Sequence, residues 1–219
     1  MKVLNLYACL GGNRYKWDQI SPDLEVTAVE IDPEAAKLYK QRFINDTVLI
    51  EDAHEYLKNN YFKYDFIWSS PPCPSHSRAR FWGCKNNTAL YKPIYPDLTL
   101  YQEIIFLQNY FKGKFCIENV TPYYEPLIPA QSRGRHLYWC NFKLPTILSN
   151  REDPTKIRKG SELTDLCKFH DFDFKLYKGD QRVLKMARNL VDYEAGKTIL
   201  ETALNIVTKN NTNQLELTY

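Results

Sequence analysis

A chain of 219 residues makes one domain, or one domain with a small appendage, and is long enough to bury a full core. Hydrophobic residues at 44% and charged residues at 25% exclude a disordered chain, and a formal charge of +3 permits nucleic-acid binding without arguing for it. Six cysteines with no C-x-x-C pair, and four histidines without ligand spacing, argue against a zinc site. The first ten residues carry no basic region followed by a long apolar core, and no stretch approaches the ~20 apolar residues of a membrane span. The expectation is a cytoplasmic protein with reduced thiols, no membrane contact and no metal.

The chain order reads strand, glycine turn, strand, helix. Residues 2–8 form an apolar strand ending near Gly11-Gly12, and 25–31 a second. Asp32-Pro33 gives the N-cap and first position of a helix carrying Ala35, Ala36, Leu38, Tyr39 and Phe43. Strands follow at 47–50, 65–69 and 115–118, with a helix from Asp97 to about Phe111 before the last. This rhythm predicts an α/β fold: a mostly parallel, Rossmann-like sheet flanked by helices, with ligands at the carboxyl ends of the strands. Residues 1–140 are expected to form the cofactor-binding and catalytic domain. Residues 141–181, rich in Lys, Arg, Asp and Pro, read as a small insertion. Residues 182–208 return to a helical pattern, with Ala195, Ile199, Ala203 and Ile206 on one face, and 209–219 form a polar tail.

Chemistry concentrates at the strand ends. Gly11 and Gly12 after Tyr7-Ala8-Cys9 would let backbone N–H groups approach a ligand, although an ordinary tight turn explains them as well. Glu30, followed by Ile31, can accept from two ribose hydroxyls; Asp52, followed by Ala53, can accept from an adenine amino group. Either acid alone could be a helix cap. Together they point to an adenosine-containing cofactor. Pro71-Pro72 fixes the backbone of a turn that carries the Cys73 thiol. Glu118 ends an apolar strand, where desolvation raises a carboxyl pKa. Arg133 and Arg135, two apart on an extended segment, are expected to share a side and to hold a base carbonyl and a phosphate. Residues 74–96 read as a long loop interleaving Arg78, Arg80, Phe81, Trp82, Lys85, Tyr91, Lys92 and Tyr95, a composition suited to phosphates and unstacked bases.

In this order the segments resemble the DNA (cytosine-5) methyltransferase family over most of the chain. The carriers are Leu6-Tyr7-Ala8-Cys9-Leu10-Gly11-Gly12, Glu30, Asp52, Pro72-Cys73, Glu118-Asn119-Val120, Gln131-x-Arg133-x-Arg135, and Arg188-Asn189 through Gly196. The resemblance implies S-adenosylmethionine as cofactor, held around Tyr7, Ala8, Cys9, Gly11, Gly12, Glu30, Ile31, Asp52, Ala53, Pro71 and Asn189. It implies double-stranded DNA as partner and a base flipped out of the duplex. Cys73 would attack C6, Glu118 would contact N3, Arg135 would orient the base carbonyl, and Arg133 the nearby loop or phosphate. The last motif implies a helix that returns beside the first strand. The compact length is similar to phage- or prophage-borne members, and the motifs specify no restriction partner. The chain departs from the family pattern at Asn5, Cys9, Pro74 and Ser75, and its insertion is short, with Arg151, Lys156, Arg158 and Lys159 as candidate DNA contacts. A catalytically silent DNA-binding relative and a tRNA methyltransferase remain open as other readings.

Overall fold

The structure is a computed structural model that describes residues 1–85, 91–152, 154 and 162–206. Lys156, Arg158, Lys159 and the 209–219 tail lie outside the described residues. Seven strands form one sheet in the order β3-β2-β1-β4-β5-β7-β6. They are β1 (Lys2–Leu6), β2 (Glu25–Val29), β3 (Thr47–Leu49), β4 (Phe66–Ser69), β5 (Lys114–Val120), β6 (Gln131–Arg133) and β7 (His136–Cys140). β1 to β5 pair in parallel; β7 runs antiparallel to both β5 and β6. Val3 to Leu6 and all of β4 are buried, as interior strands covered on both faces require. β1 connects to β2 on one side and lies beside β4 on the other, so the strand order reverses between β1 and β4. That reversal opens the crevice in which α/β sheets bind ligands.

The helices are α1 (Pro33–Arg42), α2 (Ala53–Asn60), α3 (Arg78–Lys85), α4 (Thr99–Tyr110), α5 (Glu162–His170), α6 (Val183–Asn189) and α7 (Tyr193–Ala203). Asp32 caps α1 by accepting from the N–H groups of Glu34 and Ala35. α2 and α4 cover one sheet face through Leu57, Leu100, Ile104 and Leu107. Trp17 and α7 cover the other, with Ala195, Ile199 and Leu200 packed on Val3, Phe66 and Trp68. Full burial of Ile199 and Leu200 contributes about 2 kcal/mol each. Gly196 lets α7 lie against the Asn13 backbone, where a Cβ would stand 2.3 Å from the Asn13 carbonyl oxygen. The helix of the last motif thus packs beside the first strand.

Three differences from the sequence reading have physical causes. Residues 74–96 are not wholly loop, because α3 occupies part of them. The 141–181 segment, read as a small insertion, contains the helix α5, which the sequence reading did not give it and whose Leu166 joins Leu10, Leu38, Phe174 and Met186 in a third apolar cluster. Ile206 leaves the α7 face: the helix ends at Ala203, Asn205 turns left-handed at φ 55°, and Ile206 is exposed.

Candidate active site

The turn after β1 is held from within the protein. Tyr7 and Cys9 adopt left-handed backbone at φ 54° and 46°, which ends the strand at Leu6. The Ala8 N–H donates to Val29, and the Gly11 N–H donates back to Ala8. A Cβ on Gly11 would stand 2.3 Å from the Phe43 ring, and one on Gly12 would stand 2.4 Å from the Val191 carbonyl oxygen. Both glycines therefore make room for α1 and for the segment between α6 and α7. Asn5 is buried and its side-chain oxygen accepts from Asn13 at 2.8 Å, so a neutral amide there pins the far side of the turn. Burial, with Glu30 beside it, pushes the Cys9 thiol up to about 12 and makes it an inert thiol.

Glu30 closes this turn. One oxygen accepts from the Cys9 N–H at 2.7 Å and the other from Asp32 at 2.9 Å. Burial raises its pKa, and these two N–H donors oppose the rise. Asp52 is the N-cap of α2 and accepts from Glu55 at 2.9 Å. A carboxylate oxygen carries two lone-pair directions, so each acid retains acceptor capacity after these bonds. Ile31 beside them is 66% exposed, and Ala53 is buried at the start of α2. Two acceptors at the ends of neighbouring strands, with an exposed aliphatic side chain beside one of them, fit the ribose hydroxyls, amino group and apolar face of an adenosine. Asn189, the last residue of α6, is exposed; Leu190 and Val191 after it meet Gly12.

Sequence reasoning missed Glu103. It is buried on α4 and accepts from Tyr7 Oη at 2.6 Å and Ser69 Oγ at 2.6 Å, with His54 Nδ1 at 3.2 Å. Tyr7 and Ser69 come from the ends of β1 and β4, so one carboxylate ties both walls of the crevice. A signal existed: Glu103 falls on the stripe of Leu100, Ile104 and Leu107 that an amphipathic helix turns inward. His54 rises in pKa because of this bond.

Cys73 sits past the end of β4, half-buried. Its carbonyl accepts from the N–H groups of His76 and Ser77, both at 3.0 Å, which fixes the turn. The buried Asn119 amide on β5 donates to the Pro71 carbonyl at 2.9 Å and locks the Pro-Pro turn to the strand carrying Glu118. Burial pushes the Cys73 thiol up, and the neighbouring Glu118 carboxyl pushes it further; Lys185 and Arg135 draw it down. Three groups, from β5, α6 and the β6–β7 turn, thus act on the Cys73 thiol beyond the end of β4. Glu118 is buried and lies 3.5 Å from His136 Nε2. His136 and Lys185 were not singled out in the sequence, because contact across the β5–β7 ladder and from α6 leaves no local spacing.

Arg133 and Arg135 both line one cavity but do not lie on one extended segment. Gly134 between them takes φ 61° and makes a hairpin turn. Arg133 donates to the carbonyls of Leu144, Pro145 and Ser132. Arg135 donates to the Arg188 carbonyl at 3.0 Å, and its own carbonyl accepts from Thr121 at the end of β5. Arg135 is the member whose charge reaches Cys73. Arg151 is also committed internally: it pairs with Asp192 at 2.7 Å and lies between the Phe169 and Tyr193 rings, 3.8 and 3.9 Å from their centroids.

Beside Cys73 a cavity of about 220 Å³ is lined by Pro74, Ser75, Arg80, Phe81 and Tyr123 among others. Phe81 stacks on Tyr123 with centroids 4.5 Å apart, and Trp82 and Tyr95 are exposed nearby in sequence. Among the described residues no cluster of His, Cys, Asp and Glu is placed to hold a metal ion, and no helix is long and apolar enough to cross a membrane.

Two solved structures match over nearly whole chains. The Entamoeba histolytica methyltransferase EhMeth is 12% identical, covering 95% of this chain and 99% of that one at a TM-score of 0.54. A Spodoptera frugiperda DNMT2 mutant is 16% identical, covering 93% and 99% at 0.52. At these identities the likeness establishes a methyltransferase fold. No curated protein matches by sequence. A sequence profile described as C-5 cytosine-specific DNA methylase matches residues 1–122, from the first strand through Cys73 and Glu118. More than half of the chain carries that profile, and the chain belongs to the C-5 cytosine-specific DNA methylase family.

Proposed function

We propose that the chain transfers a methyl group from S-adenosylmethionine to C5 of a cytosine in DNA through a covalent Cys73 adduct. The observation that carries this reading is the placement of Glu118, Lys185 and Arg135 around the Cys73 thiol. Bound S-adenosylmethionine supplies the methyl group, and Glu30 and Asp52 are the residues that fit its adenosine. A duplex base must leave the stack to meet Cys73, at a cost of a few kcal/mol. Cys73 enters as a thiol, because burial and Glu118 hold its pKa up. Its deprotonation is therefore coupled to substrate binding, with Lys185 and Arg135 favouring the thiolate. The sulfur then bonds to C6, and electron density passes to N3 and C5. The proton that Cys73 gives up passes to the Glu118 carboxylate, which donates it to N3 and so stabilises the charge that develops there, and Arg135 meets the base carbonyl. Once C5 carries the methyl group, a water molecule takes its proton, the C–H electron pair re-forms the C5–C6 double bond, and the S–C6 bond breaks to return the Cys73 thiolate and the aromatic ring.

A cytosine in tRNA is the second reading. The observation behind it is that the DNA-methylase profile ends at residue 122, which leaves the last part of the chain without a match to that profile. Labelled S-adenosylmethionine offered with mixed-sequence duplex DNA and, separately, with bulk tRNA decides between them. Label in DNA cytosine is expected. Label in tRNA alone would move the substrate to RNA. A folded protein that binds cofactor and labels neither would be a silent relative.

A further inference from the structure

All six cysteines are free thiols, and two of them face each other. Cys116 on β5 stands directly opposite Cys140 on β7 in the antiparallel ladder. Opposed residues in such a ladder alternate between hydrogen-bonded and non-hydrogen-bonded pairs. The Thr121 N–H donates to the Arg135 carbonyl at 3.1 Å, one step beyond the Val120–His136 pair, so Thr121 and Arg135 form a hydrogen-bonded pair. Counted back along this register, Cys116 and Cys140 fall in the non-hydrogen-bonded class. Such pairs bring their Cα atoms to about 4.5 Å, inside the ~4.4–6.8 Å span that a disulfide bridges. Both side chains pack into the apolar cluster that holds Trp68 and Tyr138.

The pair is held in register from one end. Asn141 Oδ1 accepts from the Phe115 N–H at 3.1 Å, and Asn141 Nδ2 donates to the Gly113 carbonyl at 2.8 Å. One amide therefore fastens the end of β7 to the start of β5 beside the thiols. The two sulfurs differ in access. Cys116 is fully buried, whereas Cys140 is half-buried at the last position of β7. Burial pushes the Cys116 thiol well up, and the Cys140 side chain and then Glu118 push it further. Cys116 therefore stays protonated, and Cys140 is the member that solvent reaches. Glu118 shares the sheet face of Cys116, with Tyr138 as its own cross-strand partner.

We propose that Cys116 and Cys140 are an oxidative modification site, a dithiol that a hydroperoxide converts to a disulfide across β5 and β7. The half-buried member reacts first. The Cys140 sulfur attacks the terminal peroxide oxygen, the O–O bond breaks, the alcohol or water leaves with the thiol proton, and Cys140 becomes a sulfenic acid. The Cys116 sulfur then displaces hydroxide from the Cys140 sulfur. The Cys116 proton leaves with that hydroxide as water, and the S–S bond forms. Two thiols are oxidised and one hydroperoxide is reduced. A dithiol reductant reverses the change by exchange. The bond ties the strand that carries Glu118 to the strand that follows the Arg135 turn. Neither thiol takes part in methyl transfer, so the pair stands apart from the methyltransferase reading.

Hydrogen peroxide in slight molar excess is added to the reduced full chain, the remaining thiols are alkylated after denaturation, and the intact mass and peptide map are read. The expected result is a loss of two hydrogen atoms, a link between Cys116 and Cys140, and a higher melting temperature, all reversed by dithiothreitol. The same link is expected in Cys73→Ala, which removes the thiol of the crevice. In Cys116→Ala the sulfenic acid has no resolving thiol, so dimedone should label Cys140. In Cys140→Ser, with a melting curve confirming the fold, Cys116 should stay unmodified at the same peroxide concentration. A link from either cysteine to another thiol, or sulfinic acid at Cys140 without a link in the wild type, would overturn the pairing. Dimedone on Cys116 in Cys140→Ser would overturn the order of attack. A wild-type chain that keeps every thiol under conditions that oxidise free cysteine would overturn the site. Methyl transfer, present or absent, alters none of these outcomes.

Discussion

The two sides of the crevice use their functional residues differently. On the side built from the ends of β1, β2 and β3, the glycines make room for α1 and the α6–α7 junction, Glu30 accepts two backbone N–H groups, and Asp52 caps a helix. On the side built from β4, β5 and the β6–β7 turn, Glu118 and Arg135 act on the Cys73 thiol. The residues proposed to bind cofactor on the first side are also structural, whereas the second side holds its candidate reacting groups through backbone locks such as Asn119 to Pro71. Substitutions should therefore separate: stability and cofactor affinity move together on the first side, and activity moves alone on the second.

The sharpest separation is expected at Cys73→Ala. Methyl transfer should fall by roughly 10³-fold or more, while S-adenosylmethionine affinity by calorimetry and the melting temperature stay close to wild type. Glu118→Gln should lose roughly 10²- to 10³-fold in kcat, with little change in stability. Glu30→Ala should instead lose about 1–3 kcal/mol of stability, because the Cys9 and Asp32 N–H groups lose their acceptor, and should weaken cofactor binding alongside. A melting curve unchanged in Glu30→Ala would break the comparison.

A pH profile probes the second side. Because burial and Glu118 raise the Cys73 pKa, its alkylation by iodoacetamide should be slow at neutral pH and climb only above the ordinary thiol range near ~8.5. Glu118→Gln removes one raising charge, so the climb should move to lower pH. A climb moved to higher pH, or not at all, would separate the two residues. The smallest effect is expected at Cys9→Gly. Relief of left-handed backbone at φ 46° against the entropy of a new glycine should leave about 0.5 kcal/mol of stabilisation in denaturant titrations.

Local chemistry was legible in the sequence, and contact chemistry was not. Asp32-Pro33 reads as a cap and first turn and forms one, because capping needs only adjacent residues. The interior strands β1, β4 and β5 are readable from their apolar runs, as their burial on both faces requires. β7 escapes such reading, since its place in the sheet depends on pairing with β5 on one side and β6 on the other. The extended segment expected from Arg133 to Arg135 fails at Gly134, whose positive φ turns the chain between them. Of the site, Cys73, Glu118 and Arg135 were findable from motif order, but Lys185 and His136 reach them only through tertiary packing. Glu103 was findable in principle as an acid on a buried helical stripe.

The central claim is that the Cys73 sulfur bonds to a cytosine ring. A duplex carrying 5-fluorocytosine, incubated with the protein and S-adenosylmethionine, tests it most directly, because fluorine at C5 blocks the final elimination. The account predicts a denaturation-stable protein–DNA adduct whose mass includes the transferred methyl group and whose peptide map places the link at Cys73. A link at another residue, or methylated cytosine formed from unmodified duplex with no adduct from the fluorinated one, would contradict it.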